Sequence, residues 1–395
     1  MVQITRIGRQ EERLRPLVFI AKNIGARVSQ DVEASFILNK NHHTKAPCFD
    51  RDEIRLGNLL GNGSFSFVYE IEDISCSQKE ESYSSEELSM RASTADDSRK
   101  KVNGKGPLVL KCLKDKFSKN TEKFIDAGHG LVMEAHFLDS LQHPHIISVR
   151  GWANQGSAAF SQGHDGFFII LDRLQATLDQ RIREWSKQIA KYKTAVVKRY
   201  SQPDLQNLFL SRRFNVARDV ASALAYLHAK GIIYRDLKPS NIGFDMKGKV
   251  KLFDFGLARE LPLFRSTDEE FRMSGHVGTP RYMSPEVRFQ EPYNEKADVY
   301  SFSLVMWEML ALERPFCYEK DGEQELQQKV VFERKKERRQ RPKLDASWPK
   351  RIKTLLVMSW DDDALQRPKM SKVHSVLKSE IQRLKKDYTN ESERK

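Results

Sequence analysis

Apolar and polar positions alternate from Ile54 onward in "IRLGNLLGNGSFSFVYEIEDI", with β-favouring residues on either side of a Gly-rich turn. That pattern predicts a hairpin of two strands. Residues 73–106 then turn rich in Ser, Glu, Asp and Lys with little apolar content, the composition of a disordered insertion. A strand resumes at "PLVLKCL", and "FFIILD" at 167–172 reads as a buried strand. Between them, "LVMEAHFLDSLQHPHII" separates Val132, His136 and Asp139 from Leu131, Leu138 and Leu141, as an amphipathic helix stopped before Pro144 does. Further on, "FNVARDVASALAYLHAKGI" carries Ala217, Val220, Leu224 and Leu227 as one stripe, predicting a core helix that ends at Gly231.

Strands therefore dominate the early part and helices the late part, including the long apolar "DVYSFSLVMWEML". This order predicts an α+β fold in two lobes. Residues 1–50 mix charges with scattered apolar positions and no sustained period, and are expected to be an extension of uncertain order. A folded domain is expected over 51–385, with a first lobe at 51–171 and a second at 175–385. The second carries a basic, helix-compatible insertion at 185–212, and a charged tail follows at 386–395.

Composition narrows the function classes. The net charge of +13 and pI near 9.4 favour acidic partners such as phosphates, nucleic acid or an anionic membrane surface. Cys48, Cys76, Cys112 and Cys317 have no paired spacing, so neither a disulfide framework nor a zinc site is indicated. The longest early apolar run, Leu17 to Ala21, is too short for a membrane span or signal segment. An intracellular protein is expected, in the cytoplasm with nuclear entry open. The basic run at 329–343 is interleaved with Glu333 and Glu337 and reads as a solvated surface rather than a nucleic-acid face.

Candidate chemistry comes in four stretches, each with an ordinary structural reading when taken alone. "LGNGSFSFV", Leu60 to Val68, places two glycines where backbone can approach phosphate oxygens, although such a turn is more often only a hairpin. Val109-Leu110-Lys111 offers a strand lysine, with Glu134 on the following helix as a candidate ion-pair partner. In "YRDLKPSN", Asp236 can take a proton from a hydroxyl, Lys238 can offset phosphoryl charge, and Asn241 can ligate a metal. In "LFDFGLA", an unpaired Asp254 between two phenylalanines would be costly to bury, and Mg²⁺ would relieve that cost.

In this order the stretches resemble the protein kinase family, from about Ile54 to Leu384. Lys238 and Thr279 look like the serine/threonine type, and the end of the chain is similar to the tyrosine-kinase-like group. The resemblance implies a bilobal fold, ATP and Mg²⁺ as cofactors, and Ser/Thr hydroxyls of proteins as acceptors. It implies Asp236, Lys238 and Lys111 as catalytic residues, and Asn241 and Asp254 as metal ligands. The nucleotide site it implies comprises Leu60, Gly61, Asn62, Gly63, Ser64, Phe65, Val68, Val109, Lys111, Glu134, Asp172, Asn241 and Asp254.

Regulatory positions implied are Arg235, Ser266, Thr267, Ser274 and Thr279, with Thr279 read first as holding the loop near Asp236. Structural anchors implied are Asp298 and the pair Glu286–Arg367. Three positions depart from the family pattern: Ser66 replaces the third loop glycine, Tyr234 replaces His and Gly243 replaces Leu. Tyr234 is expected to supply an aromatic contact to Phe255. Gly243 removes a side chain from the adenine floor, a loss of about 1–3 kcal/mol unless Phe244 refills it. A signalling scaffold of the same fold without phosphotransfer is the rival reading.

Overall fold

A computed structural model describes residues 2–40, 46–76, 83–102, 104–115, 120–196, 203–262, 269–316 and 341–392. Two compact units divide the chain. The first comprises Met1–Gln175, Asp245–Gly248 and Asp254–Gly256, and the second comprises Ala176–Phe244, Lys249–Phe253 and Leu257–Lys395.

The first unit is built on a six-stranded sheet of β1 (Cys48–Phe49), β2 (Ile54–Asn62), β3 (Ser66–Ile74), β4 (Leu108–Leu113), β5 (Val149–Ala153) and β6 (Phe168–Asp172), in the order β1-β5-β6-β4-β3-β2. Only β1 and β5 pair in parallel, with Cys48 opposite Trp152. The run Phe168–Leu171 is buried at every position, which is why β6 reads as continuously apolar rather than alternating.

One expectation is filled in here and one is corrected. Within residues 1–50, expected as an extension of uncertain order, α1 (Val2–Ala34) is followed by α2 (Phe36–Lys40), and Ile20, Ile24 and Val28 bury one face at a helical spacing of four. The segment 73–106 is not simply a disordered insertion. β3 runs to Ile74, and α3 (Ser85–Arg99) is capped by Ser84, whose side chain accepts the Glu87 amide. What compensates for its shortage of apolar residues is Arg91, 1% exposed, which donates to Glu53 Oε1 at 2.6 Å and stacks over the rings of Phe49 and Tyr83 at 4.8 and 4.3 Å. α4 (Thr121–Ser140) starts ten residues before the predicted stretch, with Asn120 capping through the Lys123 amide. It buries Phe124, Ile125, Leu131, Val132, Phe137 and Leu138.

The boundary between units falls within β7 (Leu174–Thr177). In the second unit, α5 (Leu178–Val196) and α6 (Pro203–Ala229) take up the insertion at 185–212 as helix, apart from 197–202, which lie outside the described residues. The short strands β8 (Ile232–Ile233) and β11 (Arg259–Glu260) pair with each other, as do β9 (Ile242–Asp245) and β10 (Val250–Leu252). α7 (Pro285–Arg288) precedes α8 (Lys296–Ala311), which is buried from Lys296 to Leu310. α9 (Lys350–Ser359) and α10 (Met370–Ser392) complete the unit. α10 buries Met370, Val373, Leu377, Ile381 and Leu384, the i, i+3, i+4 stripe of a core-facing helix, and continues through most of the expected tail at 386–395. Most of the basic run at 329–343 lies outside the described residues.

Candidate active site

In the first unit the β2–β3 turn carries the glycine-rich loop. The Gly63 amide donates to Ser66 O at 3.0 Å, closing the turn. A Cβ at Gly61 would lie 3.2 Å from Val68 Cβ, tighter than side chains ordinarily pack, while one at Gly63 would lie 3.4 Å from Ser66 O, at the edge of ordinary contact. Leu60 and Phe65 are exposed, whereas Val68 lies opposite Lys111 in the ladder and Val109 opposite Glu70. Ser64 is exposed at the tip. A residue absent from the sequence reading, Lys114, fastens the loop twice: its amide donates to Phe65 O at 3.1 Å and its ammonium donates to Asn62 Oδ1. The signal was a second lysine three residues beyond Lys111, at a strand end.

Lys111 Nζ lies 2.6 Å from Glu134 Oε2 and 2.9 Å from Asp254 Oδ1. Burial by itself favours the neutral amine, but the charges of Asp254 and Glu134 outweigh it and hold Lys111 well above its ordinary range. Asp254 corrects the expectation of a buried, unpaired acid: its side chain is 41% exposed and is paired with Lys111. Its backbone is left-handed, with φ of 67°. The Asp172 carboxylate is engaged by Arg150, whose Nε donates to its Oδ1 at 2.7 Å.

In the second unit the stretch 234–241 folds around Asp236, which is 8% exposed. Lys238 Nζ donates to Asp236 Oδ2 at 2.7 Å, Asn241 Nδ2 donates to the same oxygen at 2.9 Å, and Thr279 Oγ1 donates to Oδ1 at 2.8 Å. Thr279 reaches Asp236 because Gly278 lets the loop pass: its φ is +93°, and a Cβ there would meet Arg235 O at 2.4 Å. Pro239–Asn241 forms a single 3₁₀ turn. The Asn241 amide nitrogen also donates to the backbone oxygen of Asp236 at 3.0 Å, and among the described residues no donor meets its amide oxygen.

The backbone of this loop hangs on Asp298. Oδ2 accepts from the Tyr234 amide at 2.8 Å and Oδ1 from the Arg235 amide at 2.9 Å, while His228 Nε2 lies 2.9 Å from Oδ2. Tyr234 is fully buried, and its hydroxyl donates to Phe253 O, a role unrelated to its aromatic face. Arg235 is left-handed, with φ of 69°. Its guanidinium donates to Leu257 O at 2.6 Å, Ser274 Oγ at 3.0 Å and Tyr293 Oη at 3.3 Å. Ser266 and Thr267 lie outside the described residues.

Arg367, 1% exposed, grips Glu286 with two hydrogen bonds of 2.6 and 2.9 Å and also donates to Lys296 O and Asp361 O. Burial works to raise the Glu286 carboxyl, but Arg367 holds it below the ordinary carboxylate range. Gly243 sits opposite Lys251 in the β9–β10 pair, and the neighbouring Phe244 is buried with Arg181 over its ring at 5.4 Å.

Residues 97–378 match the protein kinase domain family. The match begins within α3, so the glycine-rich hairpin precedes it. Among relatives, the dual specificity protein kinase shkB of Dictyostelium discoideum is 33% identical over 162 residues, 41% of this chain and 23% of that protein. Serine/threonine-protein kinase STY46 of Arabidopsis thaliana is 34% identical over 182 residues, 46% of this chain and 29% of that protein. Serine/threonine/tyrosine-protein kinase HT1 of the same plant is 32% identical over 171 residues, 43% of this chain and 40% of that protein. The aligned chain thus spans well under half of each of these relatives. With more than half of its length matched, and with the ordered groups around Lys111 and Asp236 in place, the chain belongs to the protein kinase family.

Proposed function

We propose that the chain is a Mg²⁺- and ATP-dependent protein kinase that transfers the γ-phosphoryl group to Ser and Thr hydroxyls of proteins. The observation that carries this reading is the paired state of Lys111, held by both Glu134 and Asp254. A lysine so fixed presents a permanent positive charge to a polyphosphate.

The residues present suit both cofactors. The glycine at 61 stands where a Cβ would crowd Val68, and the turn it opens leaves backbone rather than side chain at the loop. The amide oxygen of Asn241 and the carboxylate of Asp254 are hard oxygen donors of the kind magnesium prefers. Bound Mg-ATP would supply the phosphoryl group and neutralise charge as ADP leaves. Asp236 accepts the proton of the attacking hydroxyl as its oxygen bonds to phosphorus and the bond to the ADP oxygen breaks. Lys238, already beside Asp236, steadies the charge on the transferred group. Thr279 holds Asp236 in place through Oδ1.

Ser/Thr selection rests on Lys238 and Thr279 and on relatives named as serine/threonine kinases, although others are named dual specificity. Arg235 and Ser274 form the regulatory contact: a phosphate on Ser274 would gain charge-assisted hydrogen bonds from a guanidinium already at its oxygen. No described helix is long and apolar enough to cross a membrane.

The test is incubation of purified protein with radiolabelled ATP, Mg²⁺ and a basic protein substrate, followed by phosphoamino-acid analysis. Label is expected on serine and threonine and is lost in Asp254→Asn. Equal incorporation by both proteins overturns the enzyme reading in favour of a scaffold, and label on tyrosine overturns the Ser/Thr assignment.

A further inference from the structure

α4 contains two glycines, Gly128 and Gly130, inside a twenty-residue helix. Each weakens the helix relative to alanine. Two positions apart at 3.6 residues per turn they face opposite sides of the helix, about 200° apart. Each side is occupied. A Cβ at Gly130 would lie 3.4 Å from the carbonyl oxygen of Gly256, the residue two beyond Asp254. Gly130 stands four residues before Glu134 and so shares its face, the one that meets Lys111. A Cβ at Gly128 would lie 2.5 Å from Ile24 Cδ1 and 3.3 Å from Phe160 Cε2.

Ile24 belongs to α1, which follows α4 with polar contacts as well. Arg27 Nη1 lies 2.7 Å from Asp126 Oδ1, and His129 Nε2 lies 2.9 Å from Asp31 Oδ2. Beyond the helix, the amide of Ala46 donates to Asp139 Oδ1 at 2.8 Å. A Cβ at Gly25 would lie 3.1 Å from Ser157 Oγ, so α1 also seats on the 3₁₀ turn Gly156–Gln162, whose Phe160 packs edge-on against Phe124 of α4 at 5.6 Å.

We propose that α1 is a brace for the candidate active site: Ile24 and Gly128 are positioning residues that hold α4 against Gly256 and keep Glu134 on Lys111. The consequence for nucleotide binding rests on the function proposed above, while the mechanical coupling of α1 to α4 does not. A helix that lost α1 would keep Gly130 and Glu134 but lose the buried contact opposing them. The packed arrangement has no slack at Gly128, so displacement of either helix is felt by the other.

The experiment uses the full chain carrying Gly128→Leu, Ile24→Ala, and both together. Leucine favours helix, so a failure cannot come from local propensity, and the double variant trades volume across the contact. Amide exchange of 16–34 and 121–140 is followed by mass spectrometry without nucleotide, and binding of a non-hydrolysable ATP analogue with Mg²⁺ is followed by calorimetry. Gly128→Leu is expected to speed exchange in both segments and weaken the analogue about tenfold. The double variant is expected to recover both readouts. Ile24→Ala, which leaves a cavity rather than a wedge, provides the same comparison if the wedge prevents folding. Faster exchange in 16–34 with unchanged exchange in 121–140 overturns the brace. Coupled exchange with full analogue affinity overturns its action on the site. Loss of analogue binding in the unaltered protein instead overturns the proposed function and leaves the exchange result standing.

Discussion

Replacing Asp298 by Asn tests whether one carboxylate holds the loop that carries Asp236. Asp298 is 1% exposed and its two oxygens serve the amides of Tyr234 and Arg235, with His228 Nε2 also at Oδ2. Asparagine keeps the size but offers one oxygen. Whichever way the amide turns, its NH₂ faces at least one backbone N–H, leaving a buried donor without an acceptor. Hydrogen bonds to a charged acceptor contribute about 1.5–3 kcal/mol each, and a stranded buried donor costs about 1–3 kcal/mol, so a net loss of about 2–4 kcal/mol is expected. Arg235 adds to the burden, since a left-handed non-glycine residue costs about 1–2 kcal/mol and its amide is one of the two held. Urea unfolding followed by tryptophan fluorescence is the assay, with Trp307 on the same helix as Asp298. For a slope of about 2–3 kcal/mol/M the midpoint falls by about 1 M. Phosphoryl transfer should fall further than nucleotide affinity, because the disturbed loop carries the acid and, of the implied nucleotide site, only Asn241. A midpoint shift below about 0.2 M would refute the anchoring role.

Glu308, 2% exposed, is pushed up to about 7 by burial against the opposing hydrogen bond from Tyr282. A carboxyl raised in the folded state contributes stability below about pH 4.5 that is lost as the pH climbs through 7, so the unaltered protein should lose about 3 kcal/mol relative to Glu308→Gln across that window; parallel stability curves would contradict this. Arg91→Met leaves Glu53 buried without its cation and should cost about 3–5 kcal/mol, whereas pairing it with Glu53→Leu should recover most of that; an equal loss in single and double variants would show that the pair does not anchor α3. Preincubation with Mg-ATP should raise the transfer rate as phosphate accumulates on Ser274, located by mass spectrometry. The rise should be absent in Ser274→Ala, and its persistence there would rule out the Arg235–Ser274 contact as the regulatory one.

Strand and helix order were legible because the apolar runs of β6 and α8 are long and the stripes of α4 and α6 are regular. The ordered motifs were legible for a different reason: phosphate chemistry demands particular residue types at short spacing, as around Asp236. Packing that depends on a single polar residue was not legible. Arg91 looks like any charge in a polar stretch until Glu53, Phe49 and Tyr83 surround it, although Ser84 with Glu87 three residues on was a capping signal for α3. In α1 the stripe of Ile20, Ile24 and Val28 was present but interrupted by Pro16 and by charged neighbours. Which oxygen a lysine selects is also a tertiary matter. Lys111 found both Glu134 and Asp254, the latter 143 residues away, and so the expected lone acid was never alone.

The left-handed backbone at Arg235 sets evolution and heat resistance against each other. Glycine or asparagine at that position would relax the turn and reduce the strain, yet neither carries a guanidinium to grasp an anion. A library screened only for survival at high temperature should therefore accumulate changes at 235 that make the molecule sturdier and deaf to its own phosphate.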